Sequence, residues 1–252
     1  NKRLTVQSGG GIRLHSNGNL TLDDVAVVQN STQGDYAEGG GIFSRGNLVL
    51  SDSRVENNST QGRDSGGGGI ATTHSVTTIT NTTVHGNSTA GESSDGGGLS
   101  QLRFGAVISG STFSANSTTG DFSVGGGIYN NALAIPGPGL SITASTISGN
   151  RTTGEGSDGG GIYSIRANVG IADSTIVLNQ ATGAGANGGG VHLWDSISLA
   201  NSIVAANSVG NTPEADVALG STGQLQSVYS LIGNGTGSGL AAAPVGTPDD
   251  HG

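Results

Sequence analysis

The chain has 252 residues, of which 48 are glycine and 33% are hydrophobic, a composition too rich in glycine for an ordinary two-layer globular domain. Eighteen acidic residues against nine basic ones give a net charge of −9, which argues against nucleic acid or an anionic membrane as a partner. The absence of cysteine excludes a disulfide framework and a thiolate metal site, and no segment reaches the roughly 18 apolar residues of a membrane-spanning helix.

Glycine triplets mark the start of seven repeats. After a first predicted strand at 2–6, the triplets recur every 28 to 34 residues, and an aliphatic residue follows each one. They begin at Gly9, Gly39, Gly67, Gly96, Gly125, Gly159 and Gly188. Collagen is excluded, because it needs glycine at every third position. A fixed period of this length predicts stacked structural repeats.

Two further apolar patterns follow the triplets. Leu48 and Leu50 illustrate a pair of aliphatic residues two positions apart, and Val55 illustrates an apolar residue three positions before an asparagine. A spacing of two is strand alternation with one buried face. We therefore predict an all-β fold, a right-handed parallel β-helix (β-solenoid) of about eight coils, with roughly 29 residues and three short strands per coil. The β-helix is predicted over 1–239, and an irregular C-terminal tail over 240–252 leads into a removed or absent region.

Asparagine recurs near the end of every repeat. The column consists of Asn30, Asn58, Asn87, Asn116, Asn150, Asn179, Asn207 and Asn234. Asparagine tolerates left-handed backbone and carries both a donor and an acceptor, so identical residues on adjacent coils can form a hydrogen-bonded ladder. We assign the column this structural role and discount most of the glycosylation sequons it creates.

One repeat is longer than the others. The step from Gly125 to Gly159 contains an additional segment at 134–139 with the sequence AIPGPG. Insertions in solenoids map to loops on one face, often the binding face, although a surface bulge without function is the simpler interpretation.

Basic and aromatic residues concentrate directly after the triplets. The candidate ligand-binding residues are Arg13, His15, Arg45, His74, Arg103, Tyr129, Tyr163, Arg166, His192 and Trp194. Guanidinium groups suit carboxylates or sulfates, so this strip is a candidate groove for an acidic polysaccharide. A lyase reaction on a uronate would need a base and a neutralising cation, which His or Tyr beside Arg offers, yet no single coil holds a complete set. The alternative is a row of solvated outer residues.

Acidic residues concentrate in the loops before the triplets, as Glu38, Asp95 and Asp158 illustrate. Carboxylate oxygens suit calcium, but the calcium-binding nonapeptide repeat with its fixed aspartate is absent. Pairing with the arginines or a contribution to solubility explains these acids better. We predict no metal site and no cofactor, with calcium left open.

The repeat resembles a known group of proteins. Segments such as GGGIF at 39–43, GNLVL at 46–50 and SRVENNS at 53–59 look like the repeats of bacterial exported right-handed parallel β-helix proteins. These belong to the pectate-lyase-like superfamily and include polymorphic-outer-membrane-protein-type repeats. The tail, SLIGN at 230–234 and then VGTP at 245–248, is similar to the point where the helix of large surface proteins gives way to a sorting region. The resemblance implies the fold and not an activity, because the same coil carries lyases, adhesins and passenger domains.

We therefore expect an extracellular structural or adhesive module at a bacterial cell surface, with a polysaccharide or a host or cell-surface ligand as partner. One alternative is a polysaccharide-active enzyme, a lyase acting on a uronic-acid polymer, with catalytic residues unknown. Another is a filament subunit that associates end to end through uncapped coils, because bare coils present unpaired backbone groups.

Overall fold

The computed structural model describes residues 7–132, 139–210 and 216–234. These residues form an all-β parallel β-solenoid of about seven turns, in which equivalent positions lie about 29 residues apart. They contain no helix, and therefore none that is long and apolar enough to cross a membrane. The first strand predicted at 2–6, most of the insertion at 134–139 and the tail predicted at 240–252 lie outside the described residues.

Sheet 1 is formed by the strands that follow the glycine triplets. Its eight strands are Ile12–Leu14, Ile42–Ser44, Ile70–Thr73, Leu99–Leu102, Ile128–Asn131, Ile162–Ile165, Val191–Leu193 and Val217–Leu219. Pairing is parallel and in register, so that the aliphatic residue of each repeat lies on that of the next, as Leu99 lies on Ile128. These aliphatic side chains point into the solenoid because the adjacent strand position points outward.

Sheet 2 is formed by the paired aliphatic residues. Its strands are Asn19–Asp23, Asn47–Ser51, Thr77–Thr80, Ala106–Ser109, Leu140–Thr143, Val169–Ala172, Ile197–Ala200 and Leu225–Val228. Ile79, Ile108 and Ile142 lie in one row and are fully buried. Both predicted aliphatic columns thus line one continuous core.

Sheet 3 precedes the asparagine column, and a short sheet 4 follows it. The strands of sheet 3 are Ala26–Val28, Arg54–Glu56, Thr83–His85, Thr112–Ser114, Thr146–Ser148, Thr175–Val177, Ile203–Ala205 and Leu231–Ile232. The strands of sheet 4 are Ser31–Thr32, Ser59–Thr60, Ser88–Thr89, Ser117–Thr118, Arg151–Thr152, Gln180–Ala181 and Ser208–Val209. The prediction of three strands per coil is therefore wrong in this respect, since most turns contain a fourth strand of two residues.

The glycine triplets form the corner between sheet 4 and sheet 1. The first glycine has a positive φ, +70° at Gly96, which is the left-handed backbone that glycine adopts without a steric penalty. At the third position, a Cβ on Gly98 would lie 2.6 Å from the carbonyl oxygen of Gly127 and 3.1 Å from the side-chain Cγ of Asn116. The triplet thus lets the corner approach both the next turn and the asparagine column.

The asparagine ladder runs as predicted from Asn30 to Asn207. In each step, Oδ1 of one asparagine accepts the backbone N–H and the Nδ2–H of the preceding one; Asn87 donates both to Asn116 at 3.0 Å. The Nδ2 group also donates across the corner to a sheet 3 carbonyl, as Asn116 does to Val84 at 2.9 Å. Asn58, Asn87, Asn116, Asn150 and Asn179 are completely buried.

The last step of the ladder differs from the prediction. Asn207 donates its backbone N–H and its Nδ2–H to Oδ1 of Asp216, both at 2.8 Å, and not to Asn234. The Oδ2 atom of Asp216 accepts the backbone N–H of Asn234 at 2.6 Å. Asp216 occupies the position in its turn that the third glycine of the triplet occupies in the others. Its carbonyl accepts the N–H of Val191, just as the carbonyl of Gly190 accepts the N–H of Ile162 one turn earlier. A side chain at this position enters the space of the asparagine column, so Asp216 takes the place predicted for the side chain of Asn234.

Candidate functional site

The outward positions of sheet 1 bring part of the predicted strip into one column. The column is Arg13, Phe43, Ala71, Ser100, Tyr129, Tyr163, His192 and Ala218, in that order along the axis. The in-register pairing that stacks the core also stacks this outer face. Three aromatic or imidazole rings therefore lie next to one another over three consecutive turns.

These rings, together with Trp194, form what we call the aromatic group. Tyr129 and Tyr163 stack with 6.0 Å between ring centroids, and Tyr163 meets His192 edge-on at 5.2 Å. The indole of Trp194 stacks on His192 at 6.3 Å, and its Nε1–H donates to the Tyr163 hydroxyl oxygen at 2.9 Å. Trp194 is 47% exposed. Its ring is thus presented to solvent while its polar edge is held in place.

Both tyrosine hydroxyls of the aromatic group are held in the protonated form. Burial raises the pKa of Tyr129 far above its usual value, an effect opposed by the hydrogen bond that Asn131 Nδ2 donates to its hydroxyl oxygen. Burial also raises the pKa of Tyr163, against the hydrogen bond from Trp194. A neutral phenol donates a hydrogen bond but does not remove a proton from a substrate at neutral pH. The rings therefore suit binding better than base catalysis.

His192 faces a carboxylate below the surface. Its Nδ1 lies 3.1 Å from Oδ2 of Asp158, close enough for an ion pair when the ring is protonated, although the contact lacks hydrogen-bond geometry. The other oxygen of Asp158 accepts the backbone N–H and the Nδ2–H of Asn187. His192 is only 7% exposed. Its imidazole thus serves mainly as a ring in the stack.

Arg166 reaches the aromatic group through one intermediate residue. Its Nη1–H donates to Oδ1 of Asn131 at 3.3 Å, and Asn131 donates to Tyr129. Arg166 lies at the corner after the strand, with a positive φ of 60°. A guanidinium group is therefore available beside the rings.

Of the remaining basic residues, Arg103 lies in the turn next to that of Tyr129, and its backbone N–H donates to the carbonyl of Asn131 at 2.7 Å. Burial, followed by the positive charges of Arg103 and Arg45, lowers the pKa of His74, so these three side chains share one region. His74 is consequently neutral at neutral pH and adds no cation there. At the first turn, Arg13 Nη2 lies 3.1 Å from Nδ1 of His15 on an exposed surface. Arg45, His74 and Arg103 thus form a second group that adjoins the aromatic group, and Arg13 and His15 form a third at the first turn.

The sequence reasoning missed a cleft on the other side of the column. Its volume is about 490 Å³, and the residues that line it include Glu38, Asp64 and Asp95 together with Tyr36 and Tyr129. The acidic residues were visible in the sequence as part of a loop pattern. The signal that would have located the cleft is the coincidence of small residues, Gly66, Ala71 and Ser100, in neighbouring turns.

Burial dominates the electrostatics of this cleft. It raises the pKa of Asp95 to about 7, against the hydrogen bond that the Val124 N–H donates to Oδ1 at 2.9 Å, and the charge of Asp64 raises it further. Burial likewise raises the pKa of Glu38, while Arg45 lowers it. Among the residues that the structure describes, no three His, Asp or Glu side chains group closely enough to hold a metal ion.

Comparison of the chain with protein-family models, with curated proteins and with solved structures gave no match. The functional argument therefore depends on the geometry of the outer face.

Proposed function

We propose that this chain is an extracellular structural or adhesive β-solenoid module of a bacterial surface or secreted protein. It is a right-handed β-helix of eight coils, since parallel crossovers within a sheet are right-handed in nearly all proteins. Its role is to hold a contact surface on a rigid rod. The aromatic group is that surface, and a polysaccharide is its ligand.

The observation that carries the proposal is the fixed, exposed indole of Trp194. An aromatic ring buries a large apolar area on binding, and a ring already held in its bound position loses little conformational entropy. The hydrogen bond to Tyr163 and the stacking on His192 hold the indole in this way. Arg166 adds a cation next to the rings, which suits a polysaccharide with carboxylate or sulfate groups.

The test is binding to an array of immobilised neutral and acidic polysaccharides. Trp194→Ala should weaken retention of the bound polysaccharide about tenfold, corresponding to roughly 1.4 kcal/mol. Tyr229→Ala is the matched control, because Tyr229 is 89% exposed and belongs to the last turn after sheet 2. Absence of binding to any polysaccharide, or equal binding by the wild type and Trp194→Ala, would contradict the proposal.

A second candidate is a lyase acting on a uronic-acid polymer. The observation that favours it is the proximity of His192 to Asp158, together with Arg166 on the same face. Opposing it are the burial of His192 and the protonated tyrosines. Incubation with uronic-acid polymers tests it, because β-elimination yields unsaturated products that absorb in the ultraviolet, and steady formation of such products would replace our first proposal.

A further inference from the structure

The cleft between Glu38 and Asp95 arises from missing side chains. Residues 38, 66 and 95 precede the triplets in three consecutive turns, and they stack because the N–H groups of Gly39 and Gly67 donate to the carbonyls of Gly66 and Asp95. Between the two carboxyl-bearing residues, Gly66 contributes no side chain. The turn spacing of about 4.8 Å places the backbones that carry the two carboxyls roughly 10 Å apart.

The outward column of sheet 1 also carries small side chains in the turns that form the cleft. Ala71 and Ser100 lie between the larger side chains of Phe43 and Tyr129. A Cβ on Gly66 would already lie 3.0 Å from Oγ of Ser100 and 2.8 Å from the carbonyl oxygen of Asp95, so a larger residue there would narrow the cleft. The cleft volume of about 490 Å³ lies in the usual range for small-ligand sites.

The charges of the residues that line the cleft determine whether it attracts a cationic or an anionic ligand. Asp64 has a partner in Arg63 at 3.6 Å, whereas the described ion pairs include none for Glu38 or Asp95. Among the residues that the structure describes, no lysine or arginine lines the cleft, although Arg45 is near enough to Glu38 to oppose the rise in the pKa of its carboxyl. A buried carboxylate is costly unless a positive group approaches it. An anionic polysaccharide is therefore repelled here, and a cationic group is attracted.

The uncharged residues that line the cleft indicate which other chemical groups the ligand carries. Tyr36, which is 57% exposed, and Tyr129 lie at different levels of the solenoid and provide aromatic faces for a ring or an ammonium group. Ser93 and Ser100 add hydroxyl groups that can donate and accept hydrogen bonds. Aromatic faces, hydroxyls and carboxylates together match a polar ring that carries a positive charge.

We propose that this cleft is a binding site for an amino sugar, a saccharide ring with a free, protonated amino group. The ammonium group lies between the carboxylates of Glu38 and Asp95, and the ring packs against tyrosine. The inference shares with the proposed function the glycan class of the ligand and the ring of Tyr129. It depends otherwise on different side chains and on the opposite ligand charge, so that either proposal can fail alone.

The test compares two ligands that differ only in the acetylation of their amino groups. A glucosamine tetrasaccharide and its fully N-acetylated counterpart are titrated into the protein by calorimetry at pH 7. We expect the free-amine ligand to bind at least tenfold more tightly, because N-acetylation removes the positive charge. Equal affinities, or no binding of the free-amine ligand, would overturn the inference.

Two variants locate the binding. Asp95→Asn preserves the acceptor for Val124 N–H and should weaken binding of the glucosamine ligand about tenfold, whereas exposed Asp173→Asn should leave it unchanged. Ser100→Tyr should abolish binding by filling the cleft, and Tyr129 and Tyr163, the next two residues of the column, show that it accepts this side chain. Unchanged binding in both cleft variants would refute the site. Trp194→Ala should retain glucosamine binding, which separates this result from a failure of the proposed function.

Discussion

At the scale of single residues, each buried asparagine of the ladder satisfies several polar groups at once. Asn116 accepts two hydrogen bonds from Asn87, and it donates to Val84 and to Asn150. A buried donor or acceptor that loses its partner incurs its full desolvation cost. The ladder therefore matters for stability mainly because removing one asparagine would leave buried polar groups without partners.

Asn116→Ala should destabilise the protein by about 4 kcal/mol, because it leaves several buried groups without partners. The measurement is the free energy of unfolding in urea. Asn47→Ala is the control, since exposed Asn47 donates only to Asn19 and its removal should change stability by less than about 0.5 kcal/mol. An equal loss of unfolding free energy in the two variants would show that a ladder asparagine contributes no more to stability than an exposed one.

Asp95 makes stability depend on pH. Its folded-state pKa of about 7 lies above the reference value of 3.8, so the folded protein binds this proton more tightly than the unfolded chain does. The favourable contribution is complete below pH 3.8 and disappears as the pH rises through about 7.

Asp95→Asn should therefore stabilise the protein at pH 8 by up to about 4 kcal/mol and have little effect near pH 3.5. Thermal unfolding across this pH range measures the difference. Asp173→Asn removes an equivalent negative charge from an exposed site and controls for net charge. A stabilisation by Asp95→Asn that is the same at both pH values would contradict the assignment.

At the scale of the strand and its corner, glycine has two separate roles. Gly98 lies against the next turn and against the ladder, whereas a Cβ added to Gly170, in a sheet 2 strand, would meet Ser198 Oγ at an ordinary contact distance of 3.7 Å. Only the first position requires the absence of a side chain. The same substitution should therefore have opposite effects at the two sites.

Gly98→Ala should destabilise the protein by about 3 kcal/mol or more, because its Cβ meets a backbone oxygen that cannot move independently. Gly170→Ala should stabilise it by about 0.5 kcal/mol through a lower entropy of the unfolded chain. Urea unfolding of both variants provides the comparison. A tolerated alanine at position 98 would contradict the close packing of the corner.

The elements that sequence analysis predicted were those with an apolar signature. Ile79, Ile108 and Ile142 repeat at a fixed offset, so their strands and register followed from periodicity. Sheet 4 was missed because the inward residues of five of its seven strands are threonines; Thr118, for example, is fully buried and satisfies its hydroxyl by donating to the Ser123 carbonyl. A pattern based on hydrophobicity has no means of detecting such a strand.

The outer face was only partly predictable for a related reason. Tyr129, Tyr163 and His192 follow their triplets closely, so the sequence placed them in one strip with the basic residues, and the strand register then brings the three into one column. Their depth, the proton states of the tyrosines and the division of the basic residues depend on neighbouring side chains in three dimensions. The cleft exists because Gly66, Ala71 and Ser100 have small side chains. A search of the sequence for chemically functional residues passes over such positions.

At the scale of the whole molecule, the solenoid is a one-dimensional stack. Each turn contacts mainly the turns before and after it, so stability accumulates from neighbouring interfaces. Outward residues can differ from turn to turn without altering the core, as Ala71 and Tyr129 of one column show. The regular interior thus permits an irregular exterior.

The side-chain amides of the asparagine ladder are aligned along the solenoid, and Asp216 stands at one end of this row. One Nδ2–H of each asparagine in the row points toward the next turn, so the aligned amide dipoles leave a partial positive charge at the end marked by Asn207. Asp216 places a negative charge at that end, in the same way that an acidic residue neutralises the start of an α-helix. A carboxylate has no hydrogen to pass on, so this polarised row terminates at Asp216, and a second copy could not prolong it from that residue.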